Sequence, residues 1–80
     1  MTLYQFNDLD EMEQMEAIWT GVKIAERIEG SFKIDLIQID SFYVELYFIE
    51  DRNLVRTRSF SSPEQLLPYM GQIDINSLLE

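Results

Sequence analysis

Hydrophobic residues recur along this chain at two different periods, and the changes of period mark out its elements. From Phe42 to Phe60 the period is two. Residues 42–49, Phe-Tyr-Val-Glu-Leu-Tyr-Phe-Ile, are aromatic and β-branched types that fit a pleated, half-buried surface. Residues 54–60, Leu-Val-Arg-Thr-Arg-Ser-Phe, alternate in the same way. Glu50-Asp51-Arg52-Asn53 lies between them, with Asp suited to an early turn position and Asn tolerant of the left-handed conformation. The pattern predicts a hairpin. With Ile49 opposite Leu54, Tyr47 faces Arg56, Glu45 faces Arg58 and Tyr43 faces Phe60. A slip of one residue exchanges the two faces. It would set Arg56 and Arg58 among Phe48 and Leu46, at a cost of several kcal/mol for unpaired buried charge. The first register is preferred.

Upstream, Leu9, Met12, Met15, Ile18, Trp19 and Val22 recur at helical spacing and predict a helix over about Asp8–Trp19. Asn7 or Asp8 is its expected cap, with Glu11 completing a capping box. Residues 1–7 read as a lead-in. Residues 20–29 fit either a helix or a strand. Thr20-Gly21 as a stop, the valine and isoleucine content, and the turn signal Glu29-Gly30-Ser31 favour an edge strand, in which Glu26 points to the core side but reaches water. Residues 32–39 form another strand, with Phe32, Ile34 and Leu36 on one side and Lys33, Asp35 and Ile37 on the other, and Asp40-Ser41 is a turn pair. After Phe60, Ser62, Pro63 and Gln65 predict a capped second helix. Pro68 should kink or split it and Gly71 should end it. Asp74 is the expected cap of a last turn, Ile75 to Leu79.

The elements therefore predict an α+β domain spanning residues 1–80. It has two layers, an antiparallel meander of three to four strands with an N-terminal and a C-terminal helix, and both helices cover one sheet face. With residues 20–29 helical the order becomes α-β-β-β-α. That order resembles double-stranded-RNA-binding domains, but their basic contact loops are missing. The stretches Gln38-Ile39-Asp40-Ser41-Phe42-Tyr43-Val44-Glu45, Arg58-Ser59-Phe60-Ser61-Ser62 and Pro68-Tyr69-Met70-Gly71-Gln72-Ile73-Asp74 resemble a group of small uncharacterised bacterial proteins. The resemblance covers roughly the last half of the chain and implies no activity.

Composition narrows the function classes. Eighty residues, 46% of them hydrophobic, make a folded domain with a modest core. There is no cysteine and no histidine, which removes disulfides, thiolate sites and the commonest general base and metal ligand. No cofactor is expected. The net charge of −9, from 15 acids and 6 bases, would repel a phosphate backbone, so nucleic acid is not an expected partner. Residues 1–51 carry 12 of the acids and 3 of the bases. No apolar run approaches the ~18 residues of a membrane span, and no basic region precedes an apolar core at the N-terminus. On the assumption of a bacterial source, the expectation is a soluble cytoplasmic protein with no membrane partner.

Four groups of residues are candidates for chemistry or contact. The outer sheet face would hold Ile37, Ile39, Tyr43, Glu45, Tyr47, Ile49, Leu54, Arg56, Arg58 and Phe60. Tyrosine and arginine are enriched at interface hot spots, so this face is a candidate contact surface unless helix 2 or the tail folds over it as a second core. Arg52, Arg56 and Arg58 could grip a carboxylate or phosphate, or simply pair across strands with Glu45 and stack on Tyr47. Asp8, Asp10, Glu11, Glu13 and Glu16 could offer an anionic surface, or be a solvated helix face; the later ligands of a calcium loop are absent. Asp35 and Glu45 on adjacent strands could share the outer face for acid–base work. The leading expectation is a non-enzymatic interaction module that forms a homodimer, or binds another protein, through the outer face at Tyr43, Glu45, Tyr47, Ile49, Leu54, Arg56, Arg58 and Phe60. The alternative is an acidic inhibitor or immunity-type protein that binds a basic partner. An enzyme ranks last.

Overall fold

The computed structural model describes residues 1–50 and 52–73, so the expected last turn at Asp74 and the turn residue Asp51 lie outside the described residues. The period-two segments become four strands, β1 (Val22–Glu29), β2 (Phe32–Ile39), β3 (Phe42–Ile49) and β4 (Asn53–Phe60), in one antiparallel sheet of order β1-β2-β3-β4. Residues 20–29 thus contribute a strand. Two of the hairpins close with two-residue loops, since Glu29 pairs with Phe32 and Ile39 pairs with Phe42. Gly30 and Asp40, the first residue of each loop, have positive φ (59° and 51°), as tight hairpin turns require. In the third hairpin Glu50 is left-handed (φ 55°) among the described residues, and Asn53, expected in that role, instead begins β4.

The single helix expected over Asp8–Trp19 is two helices, α1 (Leu3–Asp8) and α2 (Glu11–Trp19). The break follows from capping. Thr2 and Gln5 form a capping box that starts α1 in the supposed lead-in. Leu9 is extended, and the Asp10 carboxylate accepts the Glu13 backbone N–H at 2.8 Å, which starts α2. Downstream, Pro63–Tyr69 is a 3₁₀ helix, η1, with Pro68 inside it. Ser62 makes no side-chain cap; its carbonyl accepts the Gln65 N–H at 3.2 Å. Pro68 lacks the N–H that would bond the Gln65 carbonyl, yet the 3₁₀ segment runs on to Tyr69.

The helical elements divide between the two sheet faces instead of sharing one. On the helix face, Phe6, Ala17 and Ile18 pack on Ile37, Ile39, Phe42, Val44 and Leu46. On the opposite face, Leu66 and Tyr69 of η1 pack on Ala25, Leu36, Tyr43 and Phe60. The sheet is therefore buried on both sides over much of β2 and β3, and Ile34, Leu36, Phe42 and Val44 have no exposed surface. Ile37 and Ile39, expected on the outer face, lie under the helices because Ile37 pairs with Val44 and Ile39 with Phe42. Ile34 and Leu36 take their place on the outer face, opposite Tyr47 and Glu45.

Candidate functional site

The outer face is built on alternate residues of β3. Tyr43 pairs with Phe60, Glu45 with Arg58 and Tyr47 with Arg56, which is the register the hairpin chemistry predicts. Beyond Tyr47 the register shifts, and Phe48 pairs with Leu54 and Ile49 with Asn53. The expected pairing of Ile49 with Leu54 is thus corrected. The extra residue, Val55, forms a bulge that turns Leu54 onto the helix face.

Glu45 is the centre of this face. Its relative exposure is 2%, and a carboxylate so buried needs compensating partners. It has four. Tyr69 Oη donates to Oε2 at 2.6 Å and Arg27 Nη2 donates to the same oxygen at 3.3 Å. Tyr47 Oη donates to Oε1 at 3.4 Å, and Arg58 Nε lies 3.4 Å from that oxygen. Arg27 also bonds Glu29 and lies 5.5 Å from the centre of the Tyr69 ring. Burial lowers the Arg27 pKa, but the bond to Glu29 and the contacts with Tyr69 and Glu45 outweigh it and raise the value. Burial is also the main cause that raises the Tyr69 hydroxyl pKa, with the bond to Glu45 adding to it. These contacts tie the Glu45 carboxylate to partners within the chain, and the Tyr69 bond holds η1 against the sheet.

The eight residues expected as a contact surface are thereby separated. Tyr43, Glu45, Tyr47 and Phe60 are buried within one chain, at 6%, 2%, 7% and 4% exposure. Ile49 is half-buried and Leu54 lies on the other face. Arg56 and Arg58 remain exposed. Arg56 stacks over Tyr47 at 5.1 Å, so both arginines adopt the cross-strand contacts that compete with ligand gripping. Asp35 and Glu45 do not meet. Asp35 pairs with Leu46 on the helix face and lies 3.4 Å from Lys23, while Glu45 is on the opposite face. Asp8, Asp10, Glu11, Glu13 and Glu16 are exposed, and among the described residues no three metal-ligating side chains gather.

A second feature lies on the helix face. The helices end before the sheet does, and a groove of about 380 Å³ opens between α2 and the strands. Met15, Ile18, Leu46, Phe48 and Leu54 line it, with the Lys23 stem on its margin. Trp19 also lines it, yet is 82% exposed. Gly21 lets the chain pass close to β2, since a Cβ there would lie 2.6 Å from Ile37 Cγ2 and 2.9 Å from the Gln38 carbonyl oxygen. Trp19 shares the helical spacing of Met15 and Ile18, so the sequence pattern does not set it apart from them; what distinguishes it is its place as the last residue of α2. Compared with known families, with curated proteins and with solved structures, the chain matches none. Among the described residues no helix is long and apolar enough to cross a membrane.

Proposed function

We propose that the protein is a non-enzymatic interaction module that self-associates through the groove beside α2, and not through the tyrosine face that η1 covers. The observation that carries this reading is Trp19, a large aromatic side chain 82% exposed at the margin of an apolar groove. A two-fold contact joins a surface patch to its own copy. Here one patch offers both a projecting ring and a concave apolar seat, so each Trp19 can fill the other chain's groove. Buried aromatic anchors of this kind dominate interface energies. Each chain carries −9, but at physiological ionic strength screening over about 8 Å weakens the mutual repulsion. An acidic, cysteine-free chain suits the cytoplasm. Sedimentation equilibrium at micromolar concentration should show a dimer, and Trp19→Asp should return it to monomer. A wild-type monomer throughout that range, or an unchanged dimer in the variant, would refute the reading.

The second reading is an acidic inhibitor that binds a basic partner. The exposure of Glu11, Glu13 and Glu16 along one helix favours it. Binding that ignored ionic strength would exclude it.

A further inference from the structure

The two edges of the sheet are not alike. At β1 the edge is occupied by a side chain. The Gln72 amide oxygen accepts the Glu26 backbone N–H at 2.9 Å, and its amide nitrogen donates to the Glu26 carbonyl. One side chain thus takes the place that a neighbouring strand's peptide group would fill. At β4 no such partner exists among the described residues. Asn53–Arg58 are six consecutive exposed residues, and only past them does α1 reach the strand, where Ser59 Oγ donates to Asn7 Oδ1 at 2.7 Å. An edge of that length leaves about three residues with both backbone groups pointing outward, a template for strand addition.

Charge and shape select what would add. Residues 53–60 hold Arg56 and Arg58 and no acid, in a chain whose net charge is −9. Arg58 shares Glu45 with Arg27, and Arg56 makes no ion pair among the described residues. A second copy of β4 running antiparallel about Thr57 would set each Arg56 opposite an Arg58, and like charges directly opposed disfavour pairing. An acidic side chain would match Arg56, which stacks on Tyr47 but has no counter-charge among the described residues, and a second would add to the partial neutralisation of Arg58 by Glu45. On the other side of β4 lies a cleft of about 140 Å³, where Met15 and Ile18 of α2 face Leu54, Val55 and Thr57, and Glu11 and Gln14 also line it. Its apolar part suits small apolar side chains, and Glu11 would repel an acidic one placed there. Side chains alternate along a strand, so one extended segment can satisfy the two sides at once.

We propose that the open edge of β4 is a docking site for an extended segment of another protein that alternates acidic and small apolar residues and adds to the sheet as a fifth strand. The proposal does not rest on self-association, which uses the Trp19 groove. The probe is a capped synthetic peptide, Thr-Glu-Val-Glu-Val-Glu-Thr, titrated into the full chain and followed by backbone amide shifts and hydrogen exchange. Amides within residues 53–58 should shift and gain protection, while those of β1 stay unchanged. A peptide with Lys in place of Glu should bind about tenfold more weakly, equivalent to about 1.4 kcal/mol. Arg56→Glu should reverse that preference, and the milder Arg56→Gln should reduce it. The cleft beside β4 shares Met15, Ile18 and Leu54 with the Trp19 groove, so the titrations are repeated in Trp19→Asp, in which the groove has no dimer partner. That variant should bind the peptide at least as tightly as the parent whether or not the parent dimerises, so failure of the dimer reading and failure of this one are told apart. Equal binding of the two peptides, protection outside β4, or concentration-dependent protection of β4 by Trp19→Asp alone would overturn the proposal.

Discussion

Tyr69→Phe isolates one hydroxyl in the buried face, and its cost can be worked from the contacts. The ring keeps its place against Leu36, Tyr43 and Leu66, so packing is conserved. What is lost is the 2.6 Å bond to Glu45 Oε2, the shortest of the contacts to that carboxylate. A hydrogen bond to a charged group contributes about 1.5–3 kcal/mol. A domain of this size has roughly 4–12 kcal/mol of total stability, so the loss is a substantial fraction. Urea unfolding followed by far-ultraviolet circular dichroism should show a lower midpoint with an unchanged slope. The melting temperature should fall by about 4–8 °C for each kcal/mol lost. Glu45→Gln should cost at least as much, about 2–3 kcal/mol, because half-buried Arg27 and exposed Arg58 lose their shared counter-charge, although Arg27 keeps its pair with Glu29. If the network acts as one unit, the double variant should fall short of the sum of the single costs by about 1 kcal/mol. A Tyr69→Phe change below about 0.5 kcal/mol, or strict additivity with Glu45→Gln, would refute the reasoning.

Two further tests probe the fold directly. Burial raises the pKa of the Tyr69 and Tyr43 hydroxyls above the ordinary tyrosine value of 10.0. The folded state then keeps protons that the unfolded chain releases, so stability is full below about pH 10 and falls as pH rises above it. Urea midpoints between about pH 8 and 11 should trace this loss, and Tyr69→Phe should reduce its slope; an unchanged slope would contradict the assignment. Gly21→Ala places a Cβ 2.9 Å from the Gln38 carbonyl oxygen, which is backbone and cannot swing away. It should cost about 1–3 kcal/mol in the same urea assay, and a neutral outcome would contradict the close approach of the chain to β2.

The sequence made some contacts legible and hid others for identifiable reasons. The pairs Glu45–Arg58 and Tyr47–Arg56 follow from alternation within one hairpin. Arg27 and Tyr69, the other partners of Glu45, lie 18 and 24 residues away from it, and nothing local in the sequence points to them. The placement of Ile37 and Ile39 was within reach. A two-residue loop at Asp40-Ser41 pairs Ile39 with Phe42, and paired residues share a face, so β2 had only one consistent orientation. Its apolar residues on both sides concealed this, because a sheet buried on two faces loses the polar alternation that marks a solvent side. The split between α1 and α2 was also written in the chain. Thr2 with Gln5 and Asp10 with Glu13 are spaced as capping boxes, but the helical spacing of the apolar residues favours one helix over Asp8–Trp19 and masks the break. The Val55 bulge has no comparable signal, since Leu54 and Val55 are interchangeable by type.

The Gln72 amide at β1 has a consequence for how this sheet can enlarge. Fibres and open-ended ribbons grow because each added unit presents a fresh, unsatisfied row of peptide groups at its far end. Here the Gln72 side chain already holds the outward N–H and carbonyl of Glu26 near the middle of β1, so a strand arriving at that edge would first have to displace it. Addition of the β4 edge of one molecule to the β1 edge of the next carries that extra cost at every step, which disfavours an open-ended series relative to a single attachment at β4.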